Sequence, residues 1–425
     1  MGKQLDNLQF SGYDTVELAK EYGTPLYVLS RDIIHQRCKE IREKFIDKYE
    51  NTMAIYASKA FLSLAMCKII EDEGLSLDVV SGGELYIAHK SSFPMERVVF
   101  HGNNKSDEEI EMAIKYEVGR IVADNSEDIE RIIEFSEKYQ KKVKILLRIT
   151  PGVNGNTHKY ILTGQKDSKF GISLKEEEIN LIVEQIQKSK FVTLMGFHFH
   201  LGSNLHQKDI YVSSINYALD YYKFLKINKG FEAQELNVGG GFGIKYLESD
   251  EFKPIEFFID AIMETIIAGC EERKIRLPKI LIEPGRWIVG EAGITLYEIG
   301  TIKNIEGVRT YASINGGMTD NPRPALYDAK YQGIIANKLN QKTEMVATIA
   351  GKCCESGDIL IWDLAVPKLE KGDILAVLST GAYNYSMSSN YNKIPRPAVL
   401  LVGEEGKRII VERESFEDLI KNDKY

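Results

Sequence analysis

The residues best suited to covalent chemistry stand where short apolar runs end. Lys59 follows the run TMAIYAS, and a lysine amine is a nucleophile that can form a Schiff base with a carbonyl compound. A lone lysine at the end of a strand is more often a solvated or edge-protecting residue. Lys59 therefore indicates Schiff-base chemistry only if the neighbouring strand ends carry groups that fit it.

A glycine run and a serine could bind an anion. Gly239, Gly240 and Gly241 begin the run GGGFG, and backbone N–H groups without side chains let a phosphate come close. Ser203, in HLGSN, could donate its hydroxyl to the same anion. A tight turn explains the glycines equally well, and a helix cap explains the serine.

A carboxylate and a histidine extend this set. Glu283 stands in EPGR, and a carboxylate buried there needs a cationic partner, either a protonated pyridine nitrogen or Arg286. His200 could stack on an aromatic ring or transfer a proton, although a lone histidine more often has a structural role. An amine, an anion site and a carboxylate together fit pyridoxal 5′-phosphate. A Schiff-base aldolase would leave Glu283 unexplained.

Repeated strand and helix units could place these groups together. Between residues 52 and 286 short β-branched runs alternate with segments of helical periodicity. Eight such units fit a (β/α)8 TIM-type barrel, whose reactive groups lie at the carboxyl ends of its strands. A doubly wound open sheet is the alternative, but no GxGxxG opens the first helix. The predicted strands are 52–58, 76–81, 98–102, 120–124, 143–150, 193–200, 235–239 and 279–283.

The pattern changes after Gly290 to β-rich runs such as ITLYEIGTI and DILIWDLAV. We predict an α/β protein with two domains: a pyridoxal-phosphate-binding barrel at 31–290, and a mainly β domain formed by 1–30 and 291–425. The strand-like run TPLYVLS at 24–30 is the reason for adding the N-terminal arm to the β domain. The 425 residues also exceed the roughly 250 to 300 at which single cores stop growing.

The composition is that of an ordinary globular protein, with 44% apolar and 27% charged residues and a net charge of −8. Because charges form no long runs, we expect a small-molecule substrate and neither nucleic acid nor a membrane as a partner. No apolar run reaches the roughly 18 to 20 residues of a membrane span, and the N-terminus lacks the apolar core of a signal peptide, so we expect a cytoplasmic protein. The five cysteines form no CxxC pair, so we expect neither disulfides nor a metal site.

Short motifs along nearly the whole chain resemble the diaminopimelate decarboxylases, which are fold type III pyridoxal-phosphate enzymes of the alanine-racemase-like group. The motifs are YASKA, DVVSGGE, DSKFGI, HFHLGS, NVGGGFG, EPGR, RPALY, CESGD and GAYNYSM. The resemblance implies decarboxylation of meso-2,6-diaminopimelate to L-lysine and carbon dioxide, the last step of lysine biosynthesis. It also implies a homodimer whose active sites are shared across the interface.

By motif, the resemblance assigns three main cofactor contacts to the barrel. Lys59 would bind the cofactor covalently, His200 would stack on its ring, and Glu283 would pair with its pyridinium nitrogen. The remaining cofactor-binding residues implied are Ser203, Gly239, Gly240, Gly241, Gly285, Arg286 and Tyr383.

The same motifs imply how a substrate with a second amino-acid head is bound. An arginine fork recognises a carboxylate bidentately, and Glu355 could accept the distal ammonium. Cys354 is the implied proton donor to the carbanion, because a thiol is mostly protonated at neutral pH; otherwise it is a small hydrophobe. In the family, the cysteine and glutamate belong to the second subunit. The substrate-binding residues implied are Arg286, Arg323, Tyr327, Glu355 and Tyr383.

Three residues depart from the usual motifs of the family. Phe61 stands where a polar residue is usual, Asn315 where aspartate is usual, and Tyr331 where histidine is often found. Two other functions stay open. A decarboxylase of ornithine, lysine or arginine would not need Arg323 and Tyr327 to bind a carboxylate, and a non-catalytic cofactor carrier would not need the β-rich half.

Overall fold

The structure is a computed structural model that describes residues 6–152, 168–173 and 175–425. Contacts divide the chain into two compact units. The terminal unit contains the segment that ends at Arg37, together with Ile244–Phe252 and Trp287–Tyr425. The barrel unit contains Cys38–Gly243 and Lys253–Arg286. The domain boundaries predicted at residues 31 and 290 stay a prediction, and Asp167 of the DSKFGI motif lies outside the described residues.

Short elements begin the described chain. The Asp14 carboxylate caps the first helix by accepting the N–H groups of Val16 and Glu17, at 2.9 and 3.2 Å. These elements are strands β1 (Gln9–Phe10), β2 (Tyr13–Asp14) and β3 (Leu26–Ser30), and helices α1 (Thr15–Tyr22) and α2 (Arg31–Ile41), the last continuing into a π-helical turn at Arg42–Ile46.

Within the described part of the barrel unit, eight parallel strands close into a barrel, which confirms the predicted (β/α)8 fold. The strands are β4 (Thr52–Ala57), β5 (Ser76–Val79), β6 (Val98–Phe100), β7 (Arg120–Ala123), β8 (Val143–Arg148), β9 (Val192–His198), β10 (Glu235–Asn237) and β11 (Lys279–Ile282). Each strand ends one or two residues earlier than predicted. The chain leaves the ladder at these ends, as at Gly102, whose φ of +124° is not a strand conformation.

Amphipathic helices follow the strands. In α5, Ile110, Ala113 and Ile114 are buried, as their spacing predicts, and Ser106 closes a capping box at the helix start. The helices are α3 (Leu64–Asp72), α4 (Gly82–Lys90), α5 (Asp107–Lys115), α6 (Ser126–Tyr139), α7 (Glu176–Lys188), α8 (Asp209–Lys229) and α9 (Ile255–Arg273). None of the described helices combines the length and the apolar composition that crossing a bilayer requires.

Apolar side chains from several strands fill the inside of the barrel, so the barrel is a packed core and not a pore. The buried cluster consists of Ile55, Val99, Val122, Leu146, Met195 and Leu281. Because the inside of the barrel is packed, it can hold the polar residues at the strand ends in fixed positions.

A mixed β-sheet forms the terminal unit, and β3 lies inside it. This strand pairs antiparallel with β12 and parallel with β18, so the N-terminal arm is an integral part of the sheet. The strands are β12 (Gly293–Ile305), β13 (Arg309–Ile314), β14 (Gly333–Ile335), β15 (Met345–Ala350), β16 (Ile359–Val366), β17 (Ile374–Val377), β18 (Ala398–Gly403) and β19 (Gly406–Val411). The helices are α10 (Arg286–Val289), whose first residue belongs to the barrel unit, α11 (Arg323–Tyr327) and α12 (Phe416–Ile420).

A buried lysine ties two barrel loops together. The Lys105 Nζ donates to the carbonyls of Gly102 and Val122, at 2.6 and 2.7 Å, and to the Asp128 carboxylate at 2.8 Å. The side chains of Lys105 and Asp128 are 1% and 0% exposed. A buried lysine is tolerated here because all three of its donors have acceptors.

Replacing Lys105 with methionine should destabilise the protein by about 2 to 4 kcal/mol, because two carbonyls and one side of the Asp128 carboxylate lose the ammonium donor, although Arg131 still lies 2.9 Å from the other carboxylate oxygen. Lys68→Met is the matched control: this lysine is 58% exposed beside Glu71, and its loss should cost under about 1 kcal/mol. Urea denaturation of the two variants measures the difference. Equal midpoints would contradict a structural role for the Lys105 network.

Candidate active site

Glu283 is the most deeply buried acid among the residues predicted to act together. Its Oε1 accepts a hydrogen bond from the Asn237 amide at 2.7 Å and lies 2.9 Å from His101 Nε2. Its Oε2 lies 3.2 Å from His198 Nε2. The contacts of this carboxylate are therefore two imidazoles and an amide. An ion pair with Arg286, one of the two partners considered from the sequence, is not among the contacts described for Glu283.

The electrostatics of this cluster favour a charged Glu283. Burial alone would raise the pKa of Glu283, but His101 and His198 outweigh it and hold that pKa well below its usual range. Burial lowers the pKa of His198 to about 3, although Glu283 opposes the shift. A neutral His198 beside an ionised Glu283 must carry its proton on Nε2, where it can donate to the carboxylate.

Asp78, at the same end of the barrel, behaves in the opposite way. It is buried, and burial raises the pKa of Asp78 although the nearby His101 and Lys59 favour its charged form. Two neighbouring buried acids cannot both ionise at low cost. The structure thus favours the charge on Glu283.

Lys59, His200 and Glu283 follow strands β4, β9 and β11, so they lie at the same end of the barrel. Lys59 lies in the short 3₁₀ turn Ser58–Ala60 directly after β4. His200 lies just beyond β9, and its Nδ1 accepts the N–H of Gly240 at 3.4 Å. Burial lowers the pKa of His200 well below its usual value, and the cations of Lys59 and Arg148 add to this. His200 is therefore a neutral ring with a fixed orientation.

The glycine run packs against neighbouring strand ends. A Cβ on Gly240 would lie 1.9 Å from the Glu283 carbonyl oxygen, and one on Gly239, where φ is +70°, would lie 2.5 Å from that of Phe199. The N–H of Gly239 donates to the Asn237 side chain at 3.0 Å, and that of Gly240 donates to His200. Close packing thus requires these glycines, and their binding of a phosphate stays a prediction.

The remaining barrel residues of the predicted site also lie at strand ends. Arg286 Nη2 donates to the Ser203 hydroxyl at 2.8 Å. This hydrogen bond links the segment that follows β11 to the loop that follows β9. Gly285 lies against Ala57, since a Cβ on it would come 2.9 Å from the Ala57 Cβ. A larger residue at Gly285 would displace the end of β4 that carries Lys59.

The sequence reasoning missed His101, Asn237, Asp78 and Arg148. Each is a polar residue inside a predicted strand, one to three residues before its predicted end, so a polar residue interrupting an apolar run was the available signal. Arg148 is buried under the Phe170 ring, with its guanidinium carbon 4.3 Å from the ring centroid. Which strand-end side chains face the barrel axis depends on the stagger of the strands, and periodicity alone does not reveal it.

The other predicted residues belong to the terminal unit. Arg323 begins helix α11 and is 7% exposed, and Tyr327 ends the same helix and is half-buried. The Arg323 Nη1 donates to the hydroxyls of Tyr246, at 3.0 Å, and Tyr331. Tyr383 has a left-handed backbone with φ +66°.

Cys354 and Glu355 lie on an exposed loop of the terminal unit. The Cys354 N–H donates to the Asn392 side chain at 2.7 Å. The loop is anchored by Asp358, whose carboxylate accepts the N–H groups of Cys353 at 2.9 Å and Met318 at 2.7 Å. Asp358 therefore holds the cysteine loop against the segment that leads to Arg323.

Comparison with known proteins gives a consistent result. A family model described as "Pyridoxal-dependent decarboxylase, pyridoxal binding domain" matches residues 31–290. A diaminopimelate decarboxylase of Bacillus subtilis is 45% identical over 420 residues, which are 99% of this chain and 96% of the relative. One of Halalkalibacterium halodurans is 45% identical over 417 residues, which are 98% of this chain and 95% of the relative.

A solved structure is also similar over nearly the full length. It is that of a diaminopimelate decarboxylase from M. jannaschii in complex with L-lysine, and it is 35% identical with a TM-score of 0.92. The alignment covers 99% of this chain and 96% of that chain. The similarity therefore includes both the barrel and the β-rich half.

Asp320 should make stability depend on pH. Burial raises the pKa of the Asp320 carboxyl from 3.8 to about 7, against hydrogen bonds from Tyr297 and the Gly317 N–H. The folded protein thus binds this proton more tightly than the unfolded chain does. The stability that this proton contributes is fully present below about pH 4 and is lost as the pH rises through about 7.

Wild type should therefore lose this stability between about pH 5 and about pH 8, whereas Asp320→Asn should not. The free energy of unfolding of Asp320→Asn, relative to that of wild type, should rise by on the order of 1 to 3 kcal/mol over this range. Urea denaturation at the two pH values measures this gain. Asp328→Asn, at an exposed position, is the control and should show no such change. A stability difference for Asp320→Asn that does not vary with pH would refute the assignment.

Proposed function

The chain belongs to the pyridoxal-dependent decarboxylases and, within them, to the diaminopimelate decarboxylases, and from this premise we propose how its residues carry out the reaction. The activity is the decarboxylation of meso-2,6-diaminopimelate to L-lysine and carbon dioxide, the last step of lysine biosynthesis. The observation that carries this proposal is the buried Glu283 carboxylate, held by His101, His198 and Asn237 at the end of the barrel where Lys59 and His200 also lie.

The described residues fit pyridoxal 5′-phosphate. Glu283 is a buried carboxylate whose neighbours are two imidazoles and an amide, so a protonated ring nitrogen would supply the full positive charge that it lacks. Lys59 offers the amine that would hold the cofactor covalently, and the fixed ring of His200 suits stacking. When bound, pyridoxal phosphate supplies an electron sink for the electron pair that the departing carbon dioxide leaves behind.

Further residues would hold the phosphate end of the cofactor. Arg286 and Ser203 already form a hydrogen-bonded pair, and together they present a cation and a hydroxyl. The other residues that we assign to cofactor binding are Gly239, Gly240, Gly241, Gly285 and Tyr383.

Substrate recognition requires groups for the amino-acid head that does not react. Arg323 and Arg286 can bind its carboxylate, and Glu355 can bind its ammonium group. Tyr327 and Tyr383 can donate hydroxyl hydrogen bonds. A buried arginine is well suited to this task, because its charge stays fixed and its fork matches a carboxylate.

Cys354 is our candidate for the proton donor after carbon dioxide is lost. Its loop is exposed in the single chain, which agrees with a thiol that acts in a second copy of the protein. We therefore propose a homodimer in which Cys354 and Glu355 of one subunit complete the site of the other. In this arrangement His200 and Lys59 stay with the cofactor, and the thiol is supplied by the other subunit.

The substrate panel is the first test. Purified protein loaded with pyridoxal phosphate should release carbon dioxide from meso-diaminopimelate and not from ornithine, lysine or arginine, because those lack the second carboxylate. Release from one of the three monocarboxylates instead would favour an amine-forming decarboxylase. Release from none of the four would favour a non-catalytic cofactor carrier.

Removing the thiol gives a second prediction. Cys354→Ala should lower turnover by roughly 10² to 10⁴, the usual effect of losing a positioned proton donor, and should leave the absorbance of the bound cofactor unchanged. Cys353→Ala is the matched control. The Cys353 thiol is buried, and burial raises the pKa of this thiol to about 11, so it is not suited to donate a proton to substrate. Unchanged turnover in Cys354→Ala would exclude it as the donor.

A further inference from the structure

Arg323 is a buried cation without a carboxylate partner among the described residues. It is 7% exposed, and the hydrogen bonds that the structure describes for its guanidinium both leave from Nη1. In the described part of the chain Nε and Nη2 have no hydrogen-bond acceptor. A charge buried to this degree normally has an anion beside it, so this guanidinium is suited to binding an anionic ligand.

Two phenol rings enclose this guanidinium. Its central carbon lies 5.2 Å from the centroid of the Tyr246 ring and 5.6 Å from that of Tyr331. The two rings are nearly perpendicular, at 89° with centroids 5.4 Å apart. Contacts of this kind stabilise a cation and also limit its rotation.

The hydroxyl of Tyr331 is itself oriented. It donates to the Asn384 side-chain oxygen at 3.2 Å, so its lone pairs are available to accept from Arg323. Asn384 is fully buried, which fixes this end of the chain of hydrogen bonds. Burial alone would lower the pKa of Arg323, but the phenols outweigh it and raise that pKa, so the guanidinium stays charged.

We propose that Tyr331 and Tyr246 are positioning residues that hold the free Nε and Nη2 edge of Arg323 toward a carboxylate, and so determine the preference for ligands with a second carboxylate. Tyr331 stands where the resembling family often has histidine. The inference rests on the proposed function, because it takes Arg323 as the residue that binds the far amino-acid head. A guanidinium held in one orientation loses less side-chain entropy on binding than a mobile one.

The test uses two amines that differ by one carboxylate. L-lysine keeps the carboxylate of the unreacted centre, whereas 1,5-diaminopentane lacks it. In the loaded enzyme, Tyr331→Phe should raise the KM for meso-diaminopimelate about tenfold and leave kcat within about twofold, as expected when an interaction present in both ground and transition states is lost. Inhibition by L-lysine should weaken by a similar factor, and inhibition by 1,5-diaminopentane should stay the same.

Two further variants separate positioning from general destabilisation. Tyr246→Phe should reproduce the selective effect, because it removes the other phenol bonded to Arg323. Tyr222→Phe removes a buried barrel hydroxyl that donates to the Glu235 carbonyl at 2.6 Å, and it should change neither inhibition constant. Equal weakening of both amines in Tyr331→Phe, or weakening of neither, would overturn the proposal.

Calorimetric binding of the two amines to wild-type and variant protein makes the test independent of turnover. A wild-type protein that releases no carbon dioxide from diaminopimelate would contradict the proposed function. The positioning role would still be supported if Tyr331→Phe weakened the binding of L-lysine alone.

Discussion

The rest of the barrel site depends on the buried negative charge of Glu283. A carboxylate removed from water is costly unless each oxygen has a partner, and here imidazoles and an amide supply those partners. The main chain holds the residue as well, because the Glu283 N–H donates to the Gly239 carbonyl at 2.8 Å. The glycine run and Glu283 are therefore parts of one packed unit, since a side chain on Gly240 would occupy the position of the Glu283 carbonyl. Asp78 stays near this charge because its own protonated form is favoured.

Buried polar and ionisable groups also organise the loops of the terminal unit, although with different partners. Asp358 is satisfied by backbone N–H groups, and Asp320 by the Tyr297 hydroxyl and a backbone N–H. Arg323 is held by phenols and faces no acid in the described chain. In each case a few polar contacts, made inside a well-packed environment, fix a loop that an apolar core alone would leave less defined. A site held this way is organised before its ligand arrives, which reduces the entropy lost on binding.

Much of the fold was predictable, because strand and helix periods are local properties of the sequence. The eight barrel strands and the buried face of α5 agree with the predictions, and the errors lie at strand ends such as 193–200, which stops at His198. Lys59, His200 and Glu283 were recognised from their residue types and motifs. His101 and Asn237 were not, although they are the residues that hold Glu283, because their role appears only when strands distant in sequence become neighbours.

The sequence by itself determined the order of elements, the residue types at the strand ends and the motifs that identify the family, since all of these are read along the chain. The tertiary structure decided which of these residues meet. In the folded chain Glu283 contacts His101, His198 and Asn237, and Arg286 donates to Ser203. The motif EPGR alone did not determine these partners. It likewise brought Tyr246, which is distant in sequence, and Tyr331 into hydrogen bonds with Arg323. The physical reason is that barrel closure and sheet pairing set the register between distant segments, and only that register decides which buried charge finds which partner.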